Sequence, residues 1–137
     1  MIVGVLGGGQ LARMLALAGL PLGLRFVFYD PAPNPCAAPL GEHVQGEFTD
    51  RLKLELFARS VDVVTFEFEN IPLDCIEFLS ARTVVHPGPE ALAAARDRLH
   101  EKRLFGELGI PAPVVRDVDS LAGLTRAVRE IGLPAVL

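Results

Sequence analysis

The sequence predicts an α/β fold built on an open parallel sheet. Short apolar segments of strand length alternate with amphipathic segments of helix length from the first residue onward, and glycine- or proline-containing loops separate them. This alternation requires parallel strands that are joined by right-handed helical crossovers. Ligands bind to such sheets beyond the carboxyl ends of the strands. The loops that leave those ends are therefore the place to look for a functional site.

Apolar runs that are bounded by glycine, proline or charged residues predict the strands. Four of them are expected to form the sheet, and two later runs have the composition of further strands. The four are residues 1–6, 24–30, a run beginning at 61, and 83–86, and the two later ones are 112–115 and 132–137.

Capping residues and helical periodicity predict the helices. Thr49 and Asp50 can cap one that runs to about Arg59, and Pro72 begins one that ends near Leu79. Gly109 ends a helical stretch that consists of two pieces. The expected helices are residues 10–18, 50–59, 72–79, 88–108 in two pieces, and 120–131.

The spacing of apolar residues predicts which helix faces are buried. In the first helix an i, i+3, i+4, i+7 pattern indicates one inward face, and in the second helix three residues are expected to point inward. The first set is Leu11, Met14, Leu15 and Ala18, and the second is Leu52, Leu56 and Phe57.

Composition excludes several classes of function. The chain has 137 residues and a formal net charge of −4, without a basic run, which argues against nucleic acid as a partner. Its apolar stretches are too short to span a membrane. Cys36 and Cys75 lack a CxxC spacing, and the histidines lack a metal-binding one. We therefore expect a cytoplasmic protein with two ordinary thiols and no metal ligands.

A glycine loop follows the first strand. Gly7, Gly9 and Ala12 match the pattern G-x-G-x-x-[GA], in which glycines remove Cβ atoms where a ligand meets the backbone and a helix N-terminus offers free N–H groups. Asp30 follows about 20 residues later, where a dinucleotide fold places its ribose-binding acid. An NAD-dependent oxidoreductase is thus one interpretation, and a tight turn without a ligand is another.

Polar residues at two strand ends are the sharper candidates. Gln10 begins the first helix, and its amide both donates and accepts hydrogen bonds, which suits a mixed polar ligand better than a pyrophosphate. Glu67, Glu69 and Asn70 follow the third strand and could hold an amine or a ribose hydroxyl. An exposed helix residue and a solvated loop are the plainer alternatives. If the strands are parallel, Gln10 and Glu67 should meet across one cleft.

Four segments together resemble one enzyme family. They are "GVLGGGQLARML", "FEFENIP", "VVHPGPEAL" and "ARDRLHEKRLFGELGIPAP", and they are similar to the N-terminal region of N5-carboxyaminoimidazole ribonucleotide synthetases, which are purine-biosynthetic members of the ATP-grasp superfamily. The resemblance implies a Rossmann-like pre-ATP-grasp domain at residues 1–95. It implies a linker helix and the beginning of an ATP-grasp domain at residues 96–137, with the remainder absent.

The resemblance also implies a reaction. Such enzymes use ATP, Mg²⁺ and bicarbonate to carboxylate 5-aminoimidazole ribonucleotide, and they are commonly homodimers. The substrate-binding residues implied here are Gly8, Gly9, Gln10, Leu11, Glu67 and Asn70, and Arg98 matches an arginine that reaches the ATP phosphates.

The resemblance also implies that this chain carries no catalytic residue. The family's phosphate-binding lysine and metal-binding acids would come after Leu137, so we expect no catalytic residue in this chain and no activity from it alone. A formate-dependent glycinamide ribonucleotide transformylase is the related alternative, but its loop typically has an acid at the position of Gln10. A regulatory binding module without catalysis is a third class.

Overall fold

Helices and strands alternate along the chain in the computed structural model, which describes residues 1–136. Short 3₁₀ turns occupy residues 20–22 and 38–40. The elements, in chain order, are β1 (Ile2–Leu6), α1 (Gln10–Gly19), β2 (Arg25–Asp30), β3 (Glu42–Gln45), α2 (Arg51–Ser60), β4 (Val63–Phe66), α3 (Leu73–Ser80), α4 (Pro89–Arg96), α5 (Arg98–Glu107) and α6 (Leu121–Ile131).

The four strands form one parallel sheet in the order β3-β2-β1-β4. Gly4 of β1 pairs with Val27 on one side and with Val64 on the other. Val85 continues the parallel pairing beyond β4 through a single bridge to Val64. The predicted open parallel sheet is confirmed, and the chain order reverses between β1 and β4, where such folds place their ligands.

Each face of the sheet has its own apolar cluster. On one face α1 packs through Ala12 and Ala16 against Val5, Phe26 and Phe28. The other face is covered by α2, α3 and α4, and its fully buried residues include Leu54, Phe57, Ile76, Leu79 and Leu92.

The predicted inward face of α1 is wrong. Its buried residues are Ala12, Ala16 and Gly19, whereas Leu11, Met14, Leu15 and Ala18 are exposed. The aromatic rings of the sheet explain this, because a Cβ on Gly19 would lie 2.5 Å from Cζ of Phe26. The helix presents its smallest residues to the sheet, since these rings already fill the space between the two layers.

The prediction for α2 is wrong at two of three positions. Phe57 is buried as expected, together with Leu54 and Ala58. Leu52 and Leu56 are exposed. The predicted cap is confirmed, because the carboxylate of Asp50 accepts a hydrogen bond of 3.0 Å from the amide of Lys53.

Several strand predictions also differ from the structure. β3 was not predicted, because in the sequence Glu-His-Val-Gln only Val44 packs on the core. The expected strand at 83–86 is reduced to the bridge at Val85. Residues 112–115 and 132–136 are not strands, and Leu137 lies outside the described residues. Pro111 and Pro113 explain why residues 112–115 form no strand, since proline has no N–H to donate to the hydrogen bonds of a sheet.

Contacts divide the chain into two units, residues 1–93 and 94 onward. In the second unit Asp97 caps α5, and its carboxylate accepts from the amides of Leu99 and His100 at 2.8 and 2.9 Å. These bonds lower the pKa of Asp97. Gly109 follows α5 with a φ of +69°, and Ser120 caps α6. The predicted pair of helices at 88–108 and the helix at 120–131 are confirmed.

We found no helix among the described residues that is both long and apolar enough to cross a membrane.

Candidate functional site

Three loops meet at the carboxyl end of β1. The amide of Gly8 donates to Oδ2 of Asp30, at the end of β2, over 2.7 Å. The amide of Gly9 donates to Oε1 of Glu67, which follows β4, over 2.8 Å. The loop after β2 returns to the same place, because the amide of Ala37 donates to the carbonyl of Gly8 over 2.9 Å. The predicted meeting of the Gln10 and Glu67 segments at one strand end is confirmed, and the loop after β2 joins them.

The Glu67 carboxylate caps the first turn of α1. Its Oε1 accepts from Gly9, and its Oε2 accepts from the amide of Ala12 over 2.7 Å. Gly9 is the N-cap residue and has no side chain to supply this acceptor. A carboxylate at this end also interacts favourably with the helix dipole. Glu67, which follows β4, therefore supplies the helix cap that the glycine loop itself lacks.

The glycines make room for groups of the protein itself. A Cβ on Gly7, where φ is +99°, would lie 2.5 Å from Oε1 of Glu67, and one on Gly9 would lie 2.7 Å from it. A Cβ on Gly8 would lie 2.5 Å from Cβ of Pro35. From the sequence we expected this space to admit a ligand to the backbone. Glu67 and Pro35 occupy it instead.

These contacts count against a dinucleotide site. A pyrophosphate would need the amides of Gly8, Gly9 and Ala12, which already donate to carboxylates. Asp30 is also engaged, because its Oδ1 accepts from the amide of Ala32 over 2.7 Å while its Oδ2 holds Gly8. The geometry therefore disfavours the NAD-dependent alternative, in which Asp30 would bind ribose.

Other polar groups at this site are accessible. Gln10 and Leu11 are exposed, and within the described residues their amide N–H groups have no acceptor. Glu67 is half-buried and uses one lone pair on each oxygen for the loop, so each oxygen keeps capacity to accept another hydrogen bond. The structure brings Gln10 and Glu67 to the same strand end, because Glu67 binds the amides on either side of Gln10 and Leu11. Asn70 is exposed in the turn after β4.

The remaining predicted residue, Arg98, belongs to the second unit. It begins α5, its side chain is 81% exposed, and its guanidinium lies 3.0 Å from the carboxylate of Glu101. Lys102 lies 3.3 Å from the same carboxylate. Residues 1–136 contain no group of three or more acidic, histidine or cysteine side chains placed to hold a metal ion.

Comparison with known proteins defines the class. Residues 1–96 match the family model for the ribonucleotide synthetase preATP-grasp domain. This chain belongs to that family.

Individual proteins that this chain resembles include two N5-carboxyaminoimidazole ribonucleotide synthetases. Over all 137 residues the chain is 55% identical to the N5-carboxyaminoimidazole ribonucleotide synthase of Pseudomonas aeruginosa, and it spans 38% of that protein's length. A crystal structure of the synthetase from Thermus thermophilus superimposes with a TM-score of 0.87 and 48% identity, over 96% of this chain and 37% of that one. The resemblance inferred from the sequence motifs is confirmed.

A third relative contains ligands. The Aspergillus clavatus enzyme, whose structure holds ADP and 5-aminoimidazole ribonucleotide, superimposes with a TM-score of 0.86 and 30% identity, over 97% of this chain and 36% of that one.

Proposed function

We propose that this chain is the N-terminal part of an N5-carboxyaminoimidazole ribonucleotide synthetase. The proposed reaction is the ATP- and bicarbonate-dependent carboxylation of the exocyclic amine of 5-aminoimidazole ribonucleotide. The observation that carries the proposal is the likeness, over nearly the whole chain, to a relative whose structure holds that ribonucleotide together with ADP. The site at the end of β1 would supply the hydrogen-bonding groups with which this chain holds the substrate.

The ribonucleotide would bind to the accessible groups of that site. The amide N–H groups of Gln10 and Leu11 lie at the first turn of α1 and can donate to substrate oxygens. The Gln10 side chain can donate and accept, and Glu67 retains lone pairs for an amine or a ribose hydroxyl. Asn70 is a further polar contact. Gly8 and Gly9 contribute through the backbone conformation that places Gln10.

ATP and Mg²⁺ belong to the same proposal. The exposed guanidinium of Arg98 suits a phosphate oxygen, since arginine donates to phosphate in a bidentate way. Mg²⁺ would neutralise phosphate charge when bound. Because the described residues contain no acidic cluster for it, we propose that its ligands come from the region of the full-length enzyme that this chain does not include. The catalytic residues are assigned to that region as well.

The proposal also includes the setting in which the enzyme works. We propose a cytoplasmic homodimer in which residues 1–95 form the pre-ATP-grasp domain and residues 96–137 begin the linker and the ATP-grasp domain. The division lies close to the contact boundary at residue 93 and to the end of the family match at residue 96, which support it.

Steady-state kinetics of the full-length protein tests the function. ADP release should depend on both 5-aminoimidazole ribonucleotide and bicarbonate, and Gln10→Ala should raise the KM for the ribonucleotide about tenfold, as expected for loss of one or two hydrogen bonds. The KM for ATP should not change. ATP turnover that ignores the ribonucleotide would contradict the proposal.

A second variant distinguishes the carboxylase from the related transformylase. Gln10→Glu places an acid where the formate-dependent transformylase typically has one. If the wild-type protein used glycinamide ribonucleotide and formate, and Gln10→Glu increased that activity, the transformylase would replace the carboxylase as the assigned function.

A further inference from the structure

The β2–β3 loop, residues 31–41, is tied to the glycine loop at Gly8. The amide of Ala37 donates to the carbonyl oxygen of Gly8 over 2.9 Å, and Sγ of Cys36 lies 3.6 Å from the same oxygen. Pro35 lies against Gly8, because a Cβ there would come within 2.5 Å of Cβ of the proline. Gly8 is therefore held at its carbonyl by the β2–β3 loop and at its amide by Asp30, at the end of β2.

One side chain of α1 joins this arrangement. Nη1 of Arg13 donates to the carbonyl oxygen of Cys36 over 3.2 Å. Arg13 follows Gln10 by three positions, so the two residues are neighbours on the helix surface. We propose that Arg13 is a positioning residue for the ribonucleotide, which holds the β2–β3 loop against Gly8 and thereby fixes the turn that presents Gln10. This inference rests on the proposed function and adds to it a residue that acts without touching the substrate.

The composition of both loops explains why such a side chain is needed. Three consecutive glycines, Gly7–Gly9, have many backbone conformations available, so contacts must supply their order. Four of the nine residues from 31 to 39 are prolines, which have no N–H to donate. The β2–β3 loop therefore offers few backbone donors with which to hold itself in place. A donor from α1 to the carbonyl of Cys36 strengthens its attachment.

The surroundings of Arg13 distinguish it from arginines that form ion pairs at the surface. Arg13 is partly buried, and α1 contains no acidic residue that could pair with it within the helix. The ion pairs found among residues 1–136 engage Arg51, Arg59, Arg98 and Arg116, but not Arg13. Its hydrogen bond is made to a carbonyl oxygen of the β2–β3 loop instead, and a charged donor binds such an acceptor more strongly than a neutral one does.

Movement of the β2–β3 loop would reach the proposed substrate groups through a short path. Gly8 and Gln10 are separated only by Gly9, the N-cap residue of α1. Glu67 restrains this turn from the side of β4, and Arg13 would restrain it from the side of β2. Without Arg13 the turn would sample more conformations, and ordering Gln10 on binding would reduce the affinity for the ribonucleotide.

Steady-state kinetics of the full-length protein measures the functional consequence. Arg13→Ala should raise the KM for 5-aminoimidazole ribonucleotide about fivefold, as expected for loss of one hydrogen bond, with kcat and the KM for ATP unchanged. Arg13→Lys should restore most of this loss, since the contact uses a single donor and lysine retains one. Arg59→Ala is the matched control, because Arg59 is a helical arginine on α2 whose side chain is 73% exposed. This control should have wild-type constants.

Hydrogen exchange of the same proteins without ligand measures the attachment of the β2–β3 loop directly. The amide of Ala37 should exchange about fivefold faster in Arg13→Ala than in the wild type, because its bond to Gly8 opens more often. Arg59→Ala should exchange like the wild type. An arginine that bound the substrate directly would raise the KM without changing this exchange.

Each other result overturns the inference in a recognisable way. An unchanged KM in Arg13→Ala would show that the β2–β3 loop does not position the substrate groups. A raised KM with unchanged exchange at Ala37 would make Arg13 a substrate contact instead. A lower kcat, a changed KM for ATP and a lower thermal midpoint together would indicate a general loss of structure. Failure of the proposed function is distinct from these, because wild-type turnover itself would then not depend on the ribonucleotide.

Discussion

The carboxylate of Glu67 lies 2.8 Å from the amide nitrogen of Gly9, although 58 positions separate the two residues in the chain. This bond and its companion to Ala12 tie the end of β4 to the beginning of α1. The segment that presents Gln10 is thereby fixed on both sides. Substitutions around this junction should therefore affect stability as well as the proposed ligand binding, and the two effects must be measured separately.

Glu67→Gln should destabilise the first unit. Glutamine has one carbonyl oxygen and one NH₂ group, so the amide of Gly9 or of Ala12 would face a donor and lose its acceptor. Leaving one such group unsatisfied costs about 1–3 kcal/mol in unfolding free energy. Urea denaturation followed by circular dichroism measures it. Glu69→Gln is the control, because Glu69 is exposed. Equal midpoints for the two variants would mean that Glu67 does not hold the loop.

Gly8→Ala should be destabilising for a steric reason. The added Cβ would lie 2.5 Å from Cβ of Pro35, and neither atom is the end of a flexible side chain. Overpacking of this kind costs about 1–3 kcal/mol.

Gly106→Ala is the comparison, since Gly106 lies within α5 and its Cβ would meet no atom within 4 Å. Alanine there should stabilise the helix by about 0.5–1 kcal/mol. Thermal denaturation should move the two midpoints in opposite directions, and a stabilising Gly8→Ala would refute the steric argument.

Stability should fall on the alkaline side. Burial raises the pKa of the Cys75 thiol to about 12. In the unfolded chain a thiol ionises near pH 8.5, so the unfolded state loses its proton first and the unfolding free energy decreases between about pH 9 and pH 12. Burial, with a smaller effect from Asp50, also raises the pKa of Tyr29, which acts in the same direction above about pH 10.

Urea denaturation at a series of alkaline pH values measures this dependence. Cys75→Ala should be less stable near neutral pH, because it leaves a small cavity, yet its stability should decline less steeply with pH. An identical slope in the variant would show that Cys75 does not contribute. Tyr29→Phe offers the corresponding control for the phenol.

The two thiols should differ in reactivity. Cys36 is partly exposed, with Sγ 3.6 Å from the carbonyl oxygen of Gly8, whereas Cys75 is fully buried. Only the thiolate reacts, so alkylation of the native protein should modify Cys36 first and Cys75 only on unfolding. Mass spectrometry of the labelled peptides would reveal the order. Rapid double modification of the native chain would contradict the buried position of Cys75.

The element types could be predicted because their signals are local. Apolar runs, caps and glycines located most of the helices and three of the four strands. The buried faces could not be predicted in the same way, because Leu11 and Leu15 satisfy the helical pattern as well as Ala12 and Ala16 do. Phe26 decides between them, and it belongs to another element.

The location of the site could be predicted from the sequence, whereas most of the contacts within it could not. Parallel topology alone brings the ends of β1, β2 and β4 together, so the meeting of the Asp30, Gly9 and Glu67 segments could be expected. The use of Glu67 as a helix cap depends on distances between strands. No local signal marks Pro35 as the neighbour of Gly8, although the proline-rich loop identifies the segment.

The hydrogen bonds that the amides of Gly8, Gly9 and Ala12 donate to Asp30 and Glu67 are made entirely within the domain. The conformational entropy of this segment is therefore lost when the domain folds, and the proposed ribonucleotide would meet backbone donors that are already oriented. Association at this loop should resemble rigid-body docking, so that free and occupied forms superimpose closely along residues 7–12.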